Sequence, residues 1–220
     1  MKFELGPWIT KPVITMWVIV AVLAVLSWLA TRNLKEKPGV LQNAAEMAVR
    51  ALYGFFEGVL GKTNVRRYFP LMATFFIFIV VSNYSSLLPG AGSAFAVPTT
   101  SLSVTAGLAI LGFVVTQIEG VRHRGIGGYF KSLAQPLFLC FLMFPLNLIE
   151  QFVHPVSLAL RLYGNLYGEE LAAEQLGHLA GIGLPIVMHV LSLLFCLIQA
   201  MVFTMLLSIY ISEAVEEEEE

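Results

Sequence analysis

The chain has 220 residues, 57% of them hydrophobic and 13% charged, with a mean hydropathy of +0.78. A soluble domain is about 45–50% apolar and about 25% charged, so a soluble enzyme is excluded and no nucleic-acid partner is expected. What remains is a polytopic, all-α membrane protein, read as a single membrane domain over 1–220. The net charge of −2 hides a clustering: six of the 15 acidic residues fall in the last eight positions. That tail, 213–220, reads as solvated and self-repelling.

The start, MKFELGPWITKPV, lacks the compact layout of a signal peptide. No Arg/Ser-rich transit peptide precedes the first apolar run, which points to a bacterial chain or one made inside an organelle. Residues 13–31 carry no charge, and about 20 residues suffice to cross a bilayer core. Trp17 and Trp28 suit its two interfacial belts. Arg32, Lys35 and Lys37 follow it, against Lys2, Lys11 and Glu4 before it. The positive-inside rule therefore puts the N-terminus outside.

Residues 42–60 do not span. Glu46, Arg50 and Glu57 fall within about 40° of one another on a helical wheel, and the rest is largely apolar. Two readings stand equally: a helix lying on the cytoplasmic membrane surface, or one packed on other spans with a wet edge. Apolar segments then follow at 71–88 and 101–118, joined by an uncharged loop, 89–100. The loop at 119–131 carries Arg122, Arg124, Lys131 and His123, which places it inside. His123 is read there as a solvated loop residue. The C-terminus falls on the cytoplasmic side of an inner or plasma membrane.

The pattern then changes. Residues 133–173 have no clear polar break and would make about 60 Å of helix, twice the bilayer core. Pro136, Pro145 and Pro155 can kink it. Either it forms two short spans with a hidden turn, or it is one strongly tilted helix. Residues 183–212 pose the same question at about 45 Å. Cys140 and Cys196 lie inside apolar segments and read as small buried hydrophobes. Neither a disulfide framework nor metal-ligand spacing is present, and no cofactor is expected.

Within the first long segment, 155–170 reads PVSLALRLYGNLYGEE. A charge at the bilayer centre costs about 2.5–3.5 kcal/mol on insertion scales, so Arg161 needs a reason. One reading is structural, an arginine paired to a carboxylate or snorkelling to the headgroups; the other makes it an ion-path residue. With Arg161 at zero on the wheel, Glu150 falls at about −20°, His154 at about +20°, Ser157 at about −40°, Asn165 at about +40° and Gly168 at about −20°. Glu170 falls on the opposite face, at about 180°. Polar groups thus lie on both sides of Arg161 and need not share one water path. Gly164 and Gly168 permit close helix approach, within this chain or by a partner. In the last segment Ser192 and Gln199, seven apart, share a face, with His189 about 80° away.

These pieces, with PLNLIE at 145–150 and IQAMVFTMLLSIYIS at 198–212, resemble the signature of subunit a of the F-type ATP synthase. PGVLQNAAE at 38–46, SNYSSLLPG at 82–90 and PTTSLSVT at 98–105 extend the resemblance over nearly the whole chain. It implies five hydrophobic membrane segments plus a surface helix, the last two forming a strongly tilted hairpin, turning at 174–184 with His178 in the turn, against a rotor ring of c subunits. Also implied are a b-type peripheral stalk, indirect coupling to the catalytic sector, and H+, alternatively Na+, as the ion carried. Arg161 would be the essential coupling arginine, faced by Gln199. Asn165, Glu169, Glu170 and Ser192 would line the outer path, and Glu150, His154 and Ser157 the inner one. Ser192 stands where the family often has His or Glu. It thereby leaves Glu170 without a frequent titratable partner, unless Glu169 or His189 supplies one. His154 replaces a common Lys or Arg by a group whose charge can change in the physiological pH range.

The chain holds no GxxxxGK[ST], so nucleotide chemistry would sit on partners and the subunit itself would be non-catalytic. A stand-alone secondary transporter would need an internal repeat, and Arg161 has no counterpart in the first half. An intramembrane hydrolase would need HExxH, GxSxG or an equivalent constellation, and neither motif occurs.

Overall fold

A computed structural model of the chain describes residues 11–32, 39–87, 97–133, 140–180 and 183–215. Five long helices carry the fold: α1 (Lys11–Arg32), α2 (Val40–Tyr84), α3 (Leu102–Leu133), α4 (Cys140–Ala180) and α5 (Gly183–Val215). The 3-10 turns Ser85–Leu87 and Pro98–Thr100 flank the connection from α2 to α3. The acidic residues beyond Val215 and loop residues 89–96 lie outside the described residues.

The chain is all-α, as its sequence predicts. Among the described residues four helices, against five expected segments, hold stretches long and apolar enough to cross a membrane: Pro12–Leu29, Gln42–Tyr84, Leu102–Gly125 and Val190–Val215. Helix α4 is not among them. Glu150, His154, Arg161, Asn165 and Glu169 interrupt its apolar residues.

Two of the helices change direction at a glycine. Gly61 (φ 73°) breaks α2 and Gly125 (φ 70°) breaks α3. In that left-handed region a Cβ would crowd the following carbonyl, so glycine alone adopts it without strain. Gly61 separates the amphipathic stretch from the apolar one after it. The residues expected as a loop at 119–131 are instead helical on both sides of Gly125. Helix α4 keeps Pro145 and Pro155 inside it and runs on to Ala180, past the expected start of its turn. Leu171 to Leu176 are all strong helix formers and continue it.

Helix α5 is the centre of the core. Its buried Cys196, Ala200, Phe203, Leu207, Ile211 and Val215 recur every three or four residues, one stripe of a helix. Against them α2 sets Met72, Phe75 and Ile79, with Phe75 stacked on Phe203 at 6.2 Å. Helix α4 adds Leu158, Leu162 and Leu166. The buried hydroxyls of Thr204 and Ser208 donate to carbonyls one turn back, at 2.8 Å each, so they enter the core satisfied. Helix α3 comes close to α5 at Gly112, where a Cβ would sit 3.0 Å from Leu207 Cδ1. Helix α1 is held least: Ile19 is its one buried residue among those described.

The amphipathic stretch of α2 packs on the other helices and keeps a wet edge, the second of the two expected readings. Glu46 and Arg50 pair at 3.7 Å on an exposed edge, while Phe56 and Leu60 turn into the core. Just beyond Gly61, Arg67 donates to Glu119 of α3 at 2.7 Å, and the Tyr68 hydroxyl donates to the same carboxylate at 2.9 Å. His123 is exposed, as expected, but it is helical rather than in a loop. It sits on α3 with Nε2 at 2.9 Å from Arg67 Nη1.

Candidate functional site

Helix α4 has two unlike faces. Leu158, Leu162 and Leu166, four residues apart, turn into the core. The other face is open and apolar, with Val153, Val156 and Leu160 exposed. Arg161 is exposed beside Leu160 and makes no hydrogen bond or ion pair with any described residue. The carboxylate partner of the structural reading is therefore not found among the described residues. Gly164 and Gly168 are exposed too, and a Cβ on either would meet nothing within 4 Å. These two glycines serve no packing against the described parts of this chain.

On the C-terminal side of Arg161 a polar cluster joins α4 to α5. The Asn165 amide donates to Glu169 Oε1 at 3.2 Å, one helical turn along. The Ser192 hydroxyl donates to the same carboxylate. The carboxylate brought to Ser192 is thus Glu169. The side chains of Glu170 and His189 lie outside those described. One turn beyond Ser192, the Cys196 carbonyl accepts from Asn83 Nδ2 of α2 at 3.4 Å. Asn83 Oδ1, Ser82 Oγ and Thr99 Oγ1 are buried with no partner among the described residues, and so is Gln199 Nε2. Leaving such an atom unmade costs about 1–3 kcal/mol, so a region holding several of them favours water.

On the N-terminal side the arrangement is different. His154 Nε2 lies 3.8 Å from Glu150 Oε1. Its ring stacks on Tyr210 of α5, with centroids 4.0 Å apart and planes 6° from parallel. Tyr210 is within electrostatic reach of Arg161, Glu150 and Glu213. Ser157 is half-buried between this pair and Arg161. Beside His154 a cavity of about 150 Å³ opens between α3, α4 and α5, lined by Thr116, Gln117, Arg124, Gln151 and Tyr210 among others. Arg124 ties its far end, donating to the Glu213 carbonyl at 2.9 Å. Among the described residues no group of three or more His, Cys, Asp or Glu side chains could hold a metal ion.

A sequence model of the family described as the ATP synthase A chain matches residues 13–212. The chain belongs to the ATP synthase subunit a family. It is 42% identical to the ATP synthase subunit a of Moorella thermoacetica, over 97% of this chain and 94% of that one. It is 38% identical to an ATP synthase subunit a of Bradyrhizobium over 98% of its length, and 42% identical to one of Pelobacter propionicus over 91%. A member of this family with four helices apolar enough to span is a multi-pass component of the membrane sector.

Sequence reasoning over subunit a motifs missed several residues at this site. Tyr210 and Gln151 carried no charge to draw attention. Asn83 and Thr99 lay inside matched motifs, SNYSSLLPG and PTTSLSVT, yet received no role. Polar residues in an apolar segment were the available signal for all four. Gln199, expected to face Arg161, is buried, and no hydrogen bond joins the two.

Proposed function

We propose that this chain is the stator that carries protons to and from a rotor ring through two offset aqueous paths, with Arg161 between them. The observation that carries this reading is the exposure, on an apolar face, of an Arg161 that has no hydrogen-bond or ion-pair partner among the described residues. It stands beside two open glycines, with a polar cluster on either side along the same helix. A soluble surface arginine needs no explanation, but one on a membrane-facing helix needs a counter-charge. The partner that fits is a carboxylate on a close-packed helix of a second subunit, passing over Gly164 and Gly168.

In this mechanism a proton enters from outside along Asn83, Asn165, Glu169 and Ser192, with Glu170 one residue on. It neutralises the rotor carboxylate, which can then face lipid at little cost. After the ring has turned, the carboxylate meets the inner path at Glu150, His154 and Ser157 and releases its proton. Arginine is charged at every accessible pH. Arg161 therefore attracts the ionised carboxylate, forces release, and repels any cation that would cross directly. The membrane potential supplies about 2.3 kcal/mol per charge per 100 mV. Helices α4 and α5 form the tilted hairpin against the ring, the N-terminus lies outside and Val215 inside, a b-type stalk holds the chain, and nucleotide chemistry belongs to the catalytic sector.

Membrane vesicles carrying the whole complex test this directly. With Arg161→Ala, ATP-driven pumping is lost, while passive conduction persists or rises once the catalytic sector is stripped. Unchanged pumping would make Arg161 structural and end the reading. Pumping that requires Na+ would replace the coupling ion.

A further inference from the structure

We propose that His154, held in place by Tyr210, is the proton-relay group of the inner path, and that the neighbouring cavity is its water pool. The inference rests on the stator reading and deepens it. An imidazole lying flat on a phenol ring at 4.0 Å is fixed in orientation. Its Nε2 faces a carboxylate, Glu150, at 3.8 Å. Its other neighbour is a cavity of about 150 Å³, room for several waters at about 30 Å³ each. Thr116, Gln117, Gln151 and Tyr210 put polar side chains into a lining otherwise made by residues such as Phe113 and Leu207. An imidazole between an ion path and a cavity can do what an arginine or lysine at the same position cannot: it can bind a proton at one nitrogen and give it up again.

The step balances simply. The imidazole gains an N–H from the proton delivered on the Arg161 side, and Glu150 balances the imidazolium charge. That N–H then breaks to a cavity water, and the ring is neutral again. The charged groups around it come from three helices. On α4 these are Glu150 and Arg161. On α5 Glu213 lies near Tyr210, which orients the ring. On α3 Arg124 stands at the cavity's far end. Tyr210 is a positioning residue, acting through the ring it stacks on.

The test is passive proton conduction in vesicles of the whole complex, stripped of the catalytic sector. The inner-face pH is stepped from about 5.5 to about 8.5, bracketing the imidazole range. Wild type gives a rate with an inflection in that window. His154→Gln slows conduction about tenfold, within the usual 10²–10⁴ ceiling for a positioned proton-transfer group, and flattens the profile. His154→Lys, which keeps a charge and protects assembly, flattens it as well. Tyr210→Phe retains the stack and the inflection, whereas Tyr210→Leu shifts or loses the inflection. Equal subunit amounts in the purified variants establish that each complex assembled. An inflection that survives in His154→Gln overturns the relay, as does an unshifted one in Tyr210→Leu for the positioning role. If Arg161→Ala uncouples pumping while His154→Gln leaves the profile intact, only the relay falls. If Arg161→Ala pumps normally, the stator reading falls first.

Discussion

The two polar groups flanking Arg161 are built by different physics. On the Asn165 side, side chains are held by direct hydrogen bonds across α4 and α5, and nearby polar atoms are buried with no partner among the described residues. On the Glu150 side, the contact with His154 is long and partly exposed, and the anchor is an aromatic stack beside a cavity. The first arrangement is close-packed and fixes a carboxylate. The second leaves room and fixes a ring. A path that delivers a proton to one carboxylate needs the first kind of order; one that disperses protons into water needs only the second.

That contrast can be broken most forcefully at the two carboxylates. Glu169→Gln is expected to lower ATP-driven pumping about tenfold or more, equivalent to about 1.4 kcal/mol of lost interaction, because a hydrogen-bonded charge is removed. Glu150→Gln, at an exposed and loosely paired position, should lower it only about twofold. Equal losses in pumping-rate measurements would dissolve the distinction. A smaller effect is expected from Asn83→Leu, which keeps shape but removes a buried polar group. Passive conduction should slow about fivefold while the assembled complex stays as stable, since exchanging an unpartnered polar group for an apolar one is near neutral. Conduction at the wild-type rate would remove Asn83 from the outer path. The smallest effect on flow belongs to a residue outside both clusters. Arg67→Ala leaves Glu119 without its 2.7 Å partner and should lower the melting temperature of the purified complex by a few degrees. Proton conduction should be unchanged. A conduction defect without a stability defect would mean that the Arg67 cluster belongs to the path.

The parts legible in the sequence were those written in local pattern. Uncharged 13–31 predicted a helix that α1 matches, and the wheel placed Arg161 on a stripe with polar neighbours. The separation of Leu158, Leu162 and Leu166 from Arg161 follows from the same 3.6-residue period. What stayed hidden was written across the chain. Nothing near Tyr210 announces His154, 56 positions earlier, and nothing near Arg67 announces Glu119. Glu169 and Glu170 are adjacent and point about 100° apart, so only the packing of α5 could say which one meets Ser192. The turn expected at 174–184 was placed by analogy with relatives, and the strong helix formers after Leu171 were the local signal pointing the other way.

Gly164 and Gly168 have a consequence for how variants of this protein are judged. Each sits in the interior of a helix with open space around it, where alanine would add about 1 kcal/mol of helix stability. On the proposed stator reading, the chain forgoes that gain for a clearance that a neighbouring rotor helix would need. Gly164→Ala should therefore express well and melt slightly higher, and still turn over more slowly in the rotating complex. A library selected on thermal tolerance would enrich the very substitutions that jam the motor.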